Sequence, residues 1–170
     1  VKYWLTFNEI NNMRRMPGAA GGIFFKEGEN HQQVVYQASH NMFVANALAI
    51  KLCHEIIPDA KIGCMLSLSN VYPHSCRPED VFETMELRRR SLLYGDIMIR
   101  GYYPNYMADI WDKENVHVEM EPGDEELMRK YTADYLGFSY YRTTTHEYGT
   151  PFSGDTGGDQ GTPNPYLKTT

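Results

Sequence analysis

Three short β-rich runs alternate with long helical stretches along this chain, and this order constrains the fold more than any other feature. The runs cover residues 1–7, 61–68 and 136–142, and each crossover is long enough to bring the strands into parallel pairing. Two α/β architectures fit this order: an open doubly wound sheet, or part of a (β/α)8 barrel. Because a complete barrel takes about 250 residues, the barrel interpretation makes residues 1–170 a single incomplete domain, the central portion of a TIM barrel.

Two long helices are predicted between the strands. The first covers residues 32–57 and ends at Pro58, a residue that cannot continue a helix. Its apolar residues recur at three- and four-residue spacing, which predicts a face packed on the core: Val35, Ala38, Met42, Ala45, Ala49, Leu52 and Ile56. The second helix begins at Pro78, where the missing N–H costs little, and two acidic residues that favour the helix dipole follow it. It is expected to end before Gly101.

The other segments are predicted to be short or irregular. Residues 11–30 form a Gly-rich excursion after the first strand, and such long connections are usually functional or flexible. Residues 102–112 are expected to form a short helical connection, and Asp124 to cap a helix that runs to about residue 135. Residues 143–170 are rich in Gly, Thr and Pro without periodicity, and an extended loop is predicted there.

Polar side chains gather where the predicted strands end. In both architectures the functional site lies at the carboxyl ends of the strands. Asn8 and Glu9 follow the first strand directly, residues 69–73 follow the second, and residues 139–142 close the third. A carboxylate directly after an apolar strand is costly unless it is exposed in a cleft or hydrogen-bonded. Glu9 is therefore either a catalytic carboxylate or an acid that caps a loop.

Several motifs together resemble glycoside hydrolase family 1. The run at residues 6–11 is similar to the acid/base signature of that family, in the form with Ile after the Glu that is familiar among bacterial 6-phospho-β-glucosidases. Other segments agree in order and spacing: TFNEIN at 6–11, YQASHN at 36–41, VANA at 44–47, KIG at 61–63, RGYYP at 100–104 and DYLGFSYY at 134–141. The resemblance covers essentially the whole chain. It implies that the three strands are the fourth, fifth and sixth of a TIM barrel.

The resemblance also implies roles for individual residues. Glu9 would be the general acid/base, and Asn8 would hydrogen-bond the 2-hydroxyl of the sugar. Tyr141 would orient and hydrogen-bond the nucleophilic carboxylate. Ser139 departs from the commoner Asn of the family, as in many members of the phospho-glucosidase branch. The implied substrate is therefore a β-glucoside, with a 6-phospho-β-glucoside favoured.

A retaining glycosidase needs a second carboxylate about 5–5.5 Å from the first, which attacks the sugar in a double displacement. The family carries this nucleophile in a Glu-Asn-Gly motif on its seventh strand, and the sequence contains no such motif. Glu147 stands in a loop context six residues after Tyr141 and is not expected to replace it. The isolated chain is therefore expected to be an inactive fragment, and its unpaired strand edges predict self-association. A non-catalytic sugar-binding or barrel-interaction module is the alternative.

Charge and composition disfavour several other partners. The net charge of −6 argues against nucleic acid or an anionic membrane as the main partner. The run Arg88, Arg89 and Arg90 is short and is expected to form a solvated helix face. The apolar runs are too short to cross a membrane. Residues 154–161 are Gly-rich but lack the Lys-Ser/Thr ending and the strand–helix context of a phosphate-binding loop.

The cysteines and histidines point to neither a metal nor a cofactor. Cys53, Cys64 and Cys76 are odd in number and widely spaced, which favours a reduced, cytoplasmic protein. A cysteine hydrolase that pairs Cys64 or Cys76 with His54 or His74 is disfavoured, because no oxyanion loop is recognisable. The six histidines lack the spacing of metal ligands. No cofactor is expected.

Overall fold

Three strands and the helices between them account for most of the chain. A computed structural model of the protein describes residues 1–151. The elements in chain order are β1 (Tyr3–Leu5), a 3₁₀ helix (Ile10–Arg14), α1 (Pro17–Gly21), α2 (His31–Ile56), β2 (Lys61–Pro73), α3 (Pro78–Arg100), α4 (Tyr106–Glu114), α5 (Asp124–Lys130) and β3 (Leu136–His146).

The three strands form one parallel sheet in the order β1-β2-β3. Tyr3 pairs with Lys61 between the first two strands, and Cys64 pairs with Leu136 between the second and third. The helices that connect the strands pack on the sheet around a core that includes Phe43, Leu66 and Tyr94. The predicted α/β fold with parallel strands is therefore confirmed.

A β-bulge interrupts the pairing of β2 with β3. Leu68 pairs with Tyr140, whereas the next residue, Ser69, pairs with Arg142. Tyr141 is thus the extra residue on β3. Bulges bend a strand locally and re-aim side chains, and they are frequent beside active sites.

Both long strands extend beyond their predicted ends. β2 continues to Pro73 and β3 to His146, because the two strands keep pairing after the bulge. The extended loop predicted for residues 143–170 is therefore wrong at 143–146, where a run of β-branched threonines continues the ladder. Residues 152–170, which include the Gly-rich stretch 154–161, lie outside the described residues.

The Gly-rich segment 11–30 is less irregular than predicted, since it contains the 3₁₀ helix and α1. At its end Asn30 caps α2, because its side-chain oxygen accepts hydrogen bonds from the backbone N–H groups of Gln32 and Gln33. The predicted bounds of α2 and α3 agree with the structure to within a residue. α5 is shorter than predicted and ends at Lys130.

The buried face of α2 differs from the predicted apolar stripe. Ala45, Leu52 and Ile56 are exposed, and Ala38 and Met42 are half-buried. The helix instead buries a face with three polar members, Ser39, His40 and Asn46, among Val35, Tyr36, Phe43, Ala47 and Ile50. The prediction used apolar residues only and left out these buried polar positions. The predicted buried face therefore lies at a different angle around the helix axis from the observed one.

Asp124 is the first residue of α5 and does not cap it as predicted, and its carboxylate is bonded instead to His40 and to the backbone N–H of Glu121. The buried imidazole is hydrogen-bonded through Nδ1 to the Tyr103 hydroxyl at 2.9 Å and through Nε2 to the Asp124 carboxylate at 3.0 Å. Burial raises the pKa of the Tyr103 hydroxyl, which therefore stays neutral. The Asp124 side chain thus links α5 to α2, and Gly123 occupies the cap position without a side-chain bond.

Two glutamines of α2 bind the backbone of an extended segment that precedes α5. The side-chain amide of Gln33 accepts from the N–H of His117 at 2.6 Å and donates to its carbonyl at 2.8 Å. Gln37 repeats this pair of bonds with Glu119, at 2.8 and 2.9 Å. Because Gln33 and Gln37 lie one helical turn apart, they match every second residue of the extended segment, and Val118 between them is buried.

Apolar side chains are exposed at the two outer strands. Tyr3, Trp4 and Leu5 of β1 are 40–64% exposed, and Phe138 and Tyr140 of β3 are 54% and 52% exposed. Self-association through these edges stays a prediction. Within residues 1–151, no helix is both long enough and apolar enough to span a membrane.

Candidate active site

Glu9 lies where the chain turns away from the sheet after β1. Its backbone is in the left-handed conformation, with φ 46° and ψ 50°, and it forms the N-cap of the 3₁₀ helix. This conformation costs a residue with a side chain about 1–2 kcal/mol, and such strain is concentrated at functional sites. The side chain is 9% exposed. Glu9 is therefore a carboxylate held in a fixed, largely enclosed position.

Both oxygens of the Glu9 carboxylate accept hydrogen bonds from neutral side chains. The Tyr141 hydroxyl donates to Oε1 at 2.5 Å, and the Asn12 amide donates to Oε2 at 2.9 Å. The hydrogen bond to Glu9 raises the pKa of Tyr141 above its usual value, with smaller contributions from burial and from the Glu9 charge. The bulge on β3 thus places Tyr141 against the carboxylate that follows β1.

Asn11 attaches the turn that contains Glu9 to the neighbouring strand β2. Its buried amide accepts from the backbone N–H of Ser67 and donates to the Ser67 carbonyl, both at 2.8 Å. In the register that pairs Tyr3 with Lys61, Ser67 would face Glu9 if β1 continued. The Asn11 side chain therefore occupies the ladder position that the chain leaves when it turns.

Asn8 is exposed and lines a cleft of about 330 Å³ together with Ile10, the residue on the other side of Glu9 in the chain. Among the described residues its side chain forms no hydrogen bond, so its amide is available to a ligand. The cleft walls combine polar and apolar groups: Phe7, Asn8, Ile10, Asn12, Met16, Ala19, Ala20 and Met42. The structure therefore brings Glu9 and Tyr141 into contact and places Asn8 on a cleft that it shares with Asn12, the second partner of Glu9.

Asn11 and Asn12 are the site residues that the sequence analysis did not assign. Both residues follow Glu9 within three positions, and this closeness in the sequence is the feature from which they could have been predicted. Their partners could not be read from the sequence, because Ser67 lies 56 residues from Asn11 and the direction of the Asn12 side chain depends on the 3₁₀ turn.

The surroundings of Cys64 and His54 do not favour a cysteine hydrolase or a metal site. Burial raises the pKa of the Cys64 thiol to about 11, which disfavours a thiolate nucleophile. His54 is bonded to Asp134 at 2.9 Å. Within the part of the chain that the structure describes, no group of three or more His, Cys, Asp or Glu side chains could hold a metal ion.

The arginine run is only partly solvated, since its members also contact neighbouring groups. Arg88 donates to the Val71 carbonyl at 2.5 Å and lies over the Tyr72 ring. Arg89 and Arg90 form ion pairs with Glu86 and Glu114, respectively. Arg88 and Arg90 therefore join α3 to β2 and α4, whereas the ion pair between Arg89 and Glu86 lies within α3.

The sequence profile of glycosyl hydrolase family 1 matches residues 1–162. The chain belongs to glycosyl hydrolase family 1. Among curated relatives, the aryl-phospho-β-D-glucosidase BglH of Bacillus subtilis is 48% identical over 170 residues, which are 99% of this chain and 36% of that protein. The 6-phospho-β-glucosidase AscB of Escherichia coli is 49% identical over 141 residues, which are 83% of this chain and 30% of that protein.

A solved family 1 β-glucosidase from Thermotoga maritima has a TM-score of 0.67 to this structure at 23% sequence identity. The alignment covers 86% of this chain and 33% of the β-glucosidase chain. The family 1 chain therefore forms part of a TIM barrel, as predicted. It spans about a third of the length of the curated relatives that it matches.

Proposed function

We propose that this family 1 chain is the acid/base-carrying segment of a retaining β-glycosidase, with Glu9 as the general acid/base. The supporting observation is the position of Glu9 at the carboxyl end of a parallel strand, with its two oxygens held at 2.5 and 2.9 Å by Tyr141 and Asn12. Active sites of TIM barrels lie at this end of the strands. A fixed carboxyl group there suits proton transfer, which depends on geometry.

In the proposed mechanism the protonated Glu9 gives its proton to the glycosidic oxygen as a second carboxylate attacks the anomeric carbon. The ionised Glu9 then takes a proton from the water that releases the sugar. Asn8 is proposed to bind the 2-hydroxyl of the sugar from the open side of the cleft. Tyr141 is proposed to orient the second carboxylate, and its 63% exposure leaves the ring room to move toward it.

The proposed substrates are 6-phospho-β-glucosides. Two relatives with 48% and 49% identity are named as an aryl-phospho-β-D-glucosidase and a 6-phospho-β-glucosidase, and Ser139 agrees with that branch of the family. The test is the ratio of kcat/KM for a nitrophenyl β-glucoside 6-phosphate and for the unphosphorylated glucoside, measured on the full-length protein that contains this chain. A ratio of one or less would contradict the assignment.

The isolated 170-residue chain is proposed to lack activity, since its sequence has no Glu-Asn-Gly nucleophile motif. Turnover of either nitrophenyl substrate by the purified chain, abolished by Glu147→Ala, would contradict this and make Glu147 the second carboxylate. A cytoplasmic location is also proposed. The three cysteines are free, and structural disulfides are rare in that compartment.

A reconstructed enzyme tests the acid/base assignment. We use the term complete enzyme for a chimera of the Bacillus subtilis relative BglH. In this chimera, the present chain replaces the segment of BglH that it matches. The complete enzyme is expected to hydrolyse nitrophenyl β-glucoside 6-phosphate and to lose most of that activity on Glu9→Gln, which keeps the shape of the side chain. A complete enzyme that unfolds cooperatively but has no activity would favour the non-catalytic module instead.

A further inference from the structure

We propose, building on the proposed function of Glu9, that Asn12 is a positioning residue that fixes Oε2 of Glu9 as a hydrogen-bond acceptor. It thereby reserves Oε1 as the oxygen that carries the catalytic proton. The two oxygens of this carboxylate have different partners, Asn12 on Oε2 and Tyr141 on Oε1. Because the Asn12 amide presents its nitrogen to Oε2, the two partners differ in whether the contacting atom can accept a proton.

The amide nitrogen of Asn12 can only donate, whereas the hydroxyl of Tyr141 can donate or accept. A proton on Oε2 would weaken the bond that this oxygen accepts from Asn12. A proton on Oε1 is compatible with both neighbours, because the exposed Tyr141 hydroxyl can turn away or accept. Oε1 is therefore the oxygen that alternates between its protonated and ionised forms, and Oε2 keeps its donor throughout.

Backbone hydrogen bonds hold Asn12 in place. Its own N–H donates to the Glu9 carbonyl at 2.9 Å, and its carbonyl accepts from the N–H groups of Arg15 and Met16 at 3.0 and 2.7 Å. The preceding Asn11 is anchored to Ser67 by its two 2.8 Å bonds. The backbone that carries the Asn12 amide is therefore fixed beside Oε2, whereas Tyr141 is 63% exposed.

Oε1 gives up the catalytic proton in the first step of the reaction and regains one in the second step. In the first step the Oε1–H bond breaks and its proton goes to the glycosidic oxygen, which keeps the electron pair of the broken bond to the anomeric carbon. The second carboxylate forms the new bond to that carbon. In the second step a water oxygen replaces the carboxylate, which leaves with its electron pair, and the water proton returns to Oε1.

The effect of Asn12 is expected to depend on the leaving group. In the complete enzyme, Asn12→Ala should lower kcat on cellobiose 6′-phosphate, a substrate with a poor leaving group, by about tenfold, since hydrogen bonds to charged groups contribute at least that factor. The glycosylation rate with dinitrophenyl β-glucoside 6-phosphate should change less than about threefold, because that leaving group needs little protonation. KM should stay unchanged.

The pH profile distinguishes positioning from a general structural effect. Removal of a donor to the ionised carboxylate favours the protonated form of Glu9, so the alkaline limb of kcat/KM should move to higher pH in Asn12→Ala. Asn12→Asp keeps the shape, removes the donor and adds a negative charge beside Glu9, so it should lose at least as much activity on cellobiose 6′-phosphate and move the alkaline limb at least as far. The control Asn41→Ala removes an exposed asparagine of α2 outside the site and should change neither rate.

Equal loss of turnover on both substrates, an unmoved alkaline limb, or full activity of Asn12→Ala would overturn the role of Asn12. If Asn12→Ala fails to fold, Asn12→Asp decides by the same criteria. A folded complete enzyme that is inactive, or that keeps its activity in Glu9→Ala, would instead contradict the proposed function. The two failures are therefore distinguishable.

Discussion

The hydroxyl of Tyr141 lies 2.5 Å from Oε1 of Glu9, although 132 positions separate the two residues in the sequence. The contact depends on the bulge that makes Tyr141 the extra residue of β3. In the complete enzyme, Tyr141→Phe is expected to lower kcat/KM for nitrophenyl β-glucoside 6-phosphate by about tenfold or more, because its hydroxyl can no longer donate a charge-assisted hydrogen bond to Glu9 or to the second carboxylate. The neighbouring Tyr140→Phe is the control, since its hydroxyl bonds Thr143 and not Glu9.

The same contact predicts how Tyr141 titrates. Its hydrogen bond to Glu9 raises the pKa of the hydroxyl above 10.0, because deprotonation would place two negative charges together. The hydrogen bond is therefore intact at neutral pH, and it is lost only as the pH rises through the raised pKa of Tyr141. Ultraviolet difference titration should compare the Tyr141→Phe variant with the unsubstituted complete enzyme. The variant should lack one tyrosine that titrates above the usual pH. Loss of a tyrosine that titrates at or below its usual pH would contradict the contact.

The glutamine pair of α2 makes a prediction about local stability. The double variant Gln33→Ala/Gln37→Ala removes four hydrogen bonds to the backbone of His117 and Glu119. Because these four bonds are exposed to solvent, we expect a total cost of about 2 kcal/mol, which is the low end of the usual range of about 0.5–1.5 kcal/mol per bond. Amide exchange across 116–120 should accelerate at least about tenfold, which corresponds to about 1.4 kcal/mol.

Gln32→Ala is the matched control for that experiment. Gln32 lies on the same turn of α2, is exposed, and its side chain forms no hydrogen bond to any described residue. Its replacement should leave exchange at 116–120 unchanged. If the double variant also leaves that exchange unchanged, the glutamines do not hold the segment.

Gly101 is expected to be intolerant of substitution. It ends α3 at a φ of 77°, and an added Cβ would lie 2.6 Å from the Met128 carbonyl oxygen and 2.7 Å from Cα of Arg129. Gly101→Ala should cost about 1–2 kcal/mol for the left-handed backbone and about 1–3 kcal/mol more for the clash. Gly123→Ala also has a positive φ, but it has open space around the added carbon. Denaturant unfolding of the complete enzyme should rank Gly101→Ala well below Gly123→Ala, and equal stabilities would refute the clash.

The sequence allowed the order of elements and the position of Glu9 to be predicted, because hydrophobic periodicity and the end of an apolar strand are local features. The lengths of β2 and β3 were underestimated, since Thr143 and its neighbours become a strand only through pairing with β2. The buried face of α2 was misplaced because His40 and Asn46 are buried with polar partners. These properties depend on tertiary contacts that no local pattern contains.

The contacts of the site show the same division. Glu9 was identified from a motif, but its left-handed backbone and the Asn11–Ser67 bonds arise from the way the chain leaves the sheet. The contact between Tyr141 and Glu9 requires the bulge, and the residue types around it do not specify where a bulge forms. The motif therefore predicts a chemical role for Glu9, and the three-dimensional structure adds its hydrogen-bond partners.

Chemical rescue of Glu9→Ala in the complete enzyme tests the central claim most directly. The variant should lose about 10²–10⁴-fold in turnover of cellobiose 6′-phosphate, the usual contribution of a positioned acid/base, and much less in glycosylation by activated aryl substrates. Azide should restore turnover and yield the β-glycosyl azide, because the small anion enters the vacated space and needs no general base. Unchanged kcat on cellobiose 6′-phosphate, or formation of only the α-azide, would show that Glu9 is not the acid/base of a retaining β-glycosidase.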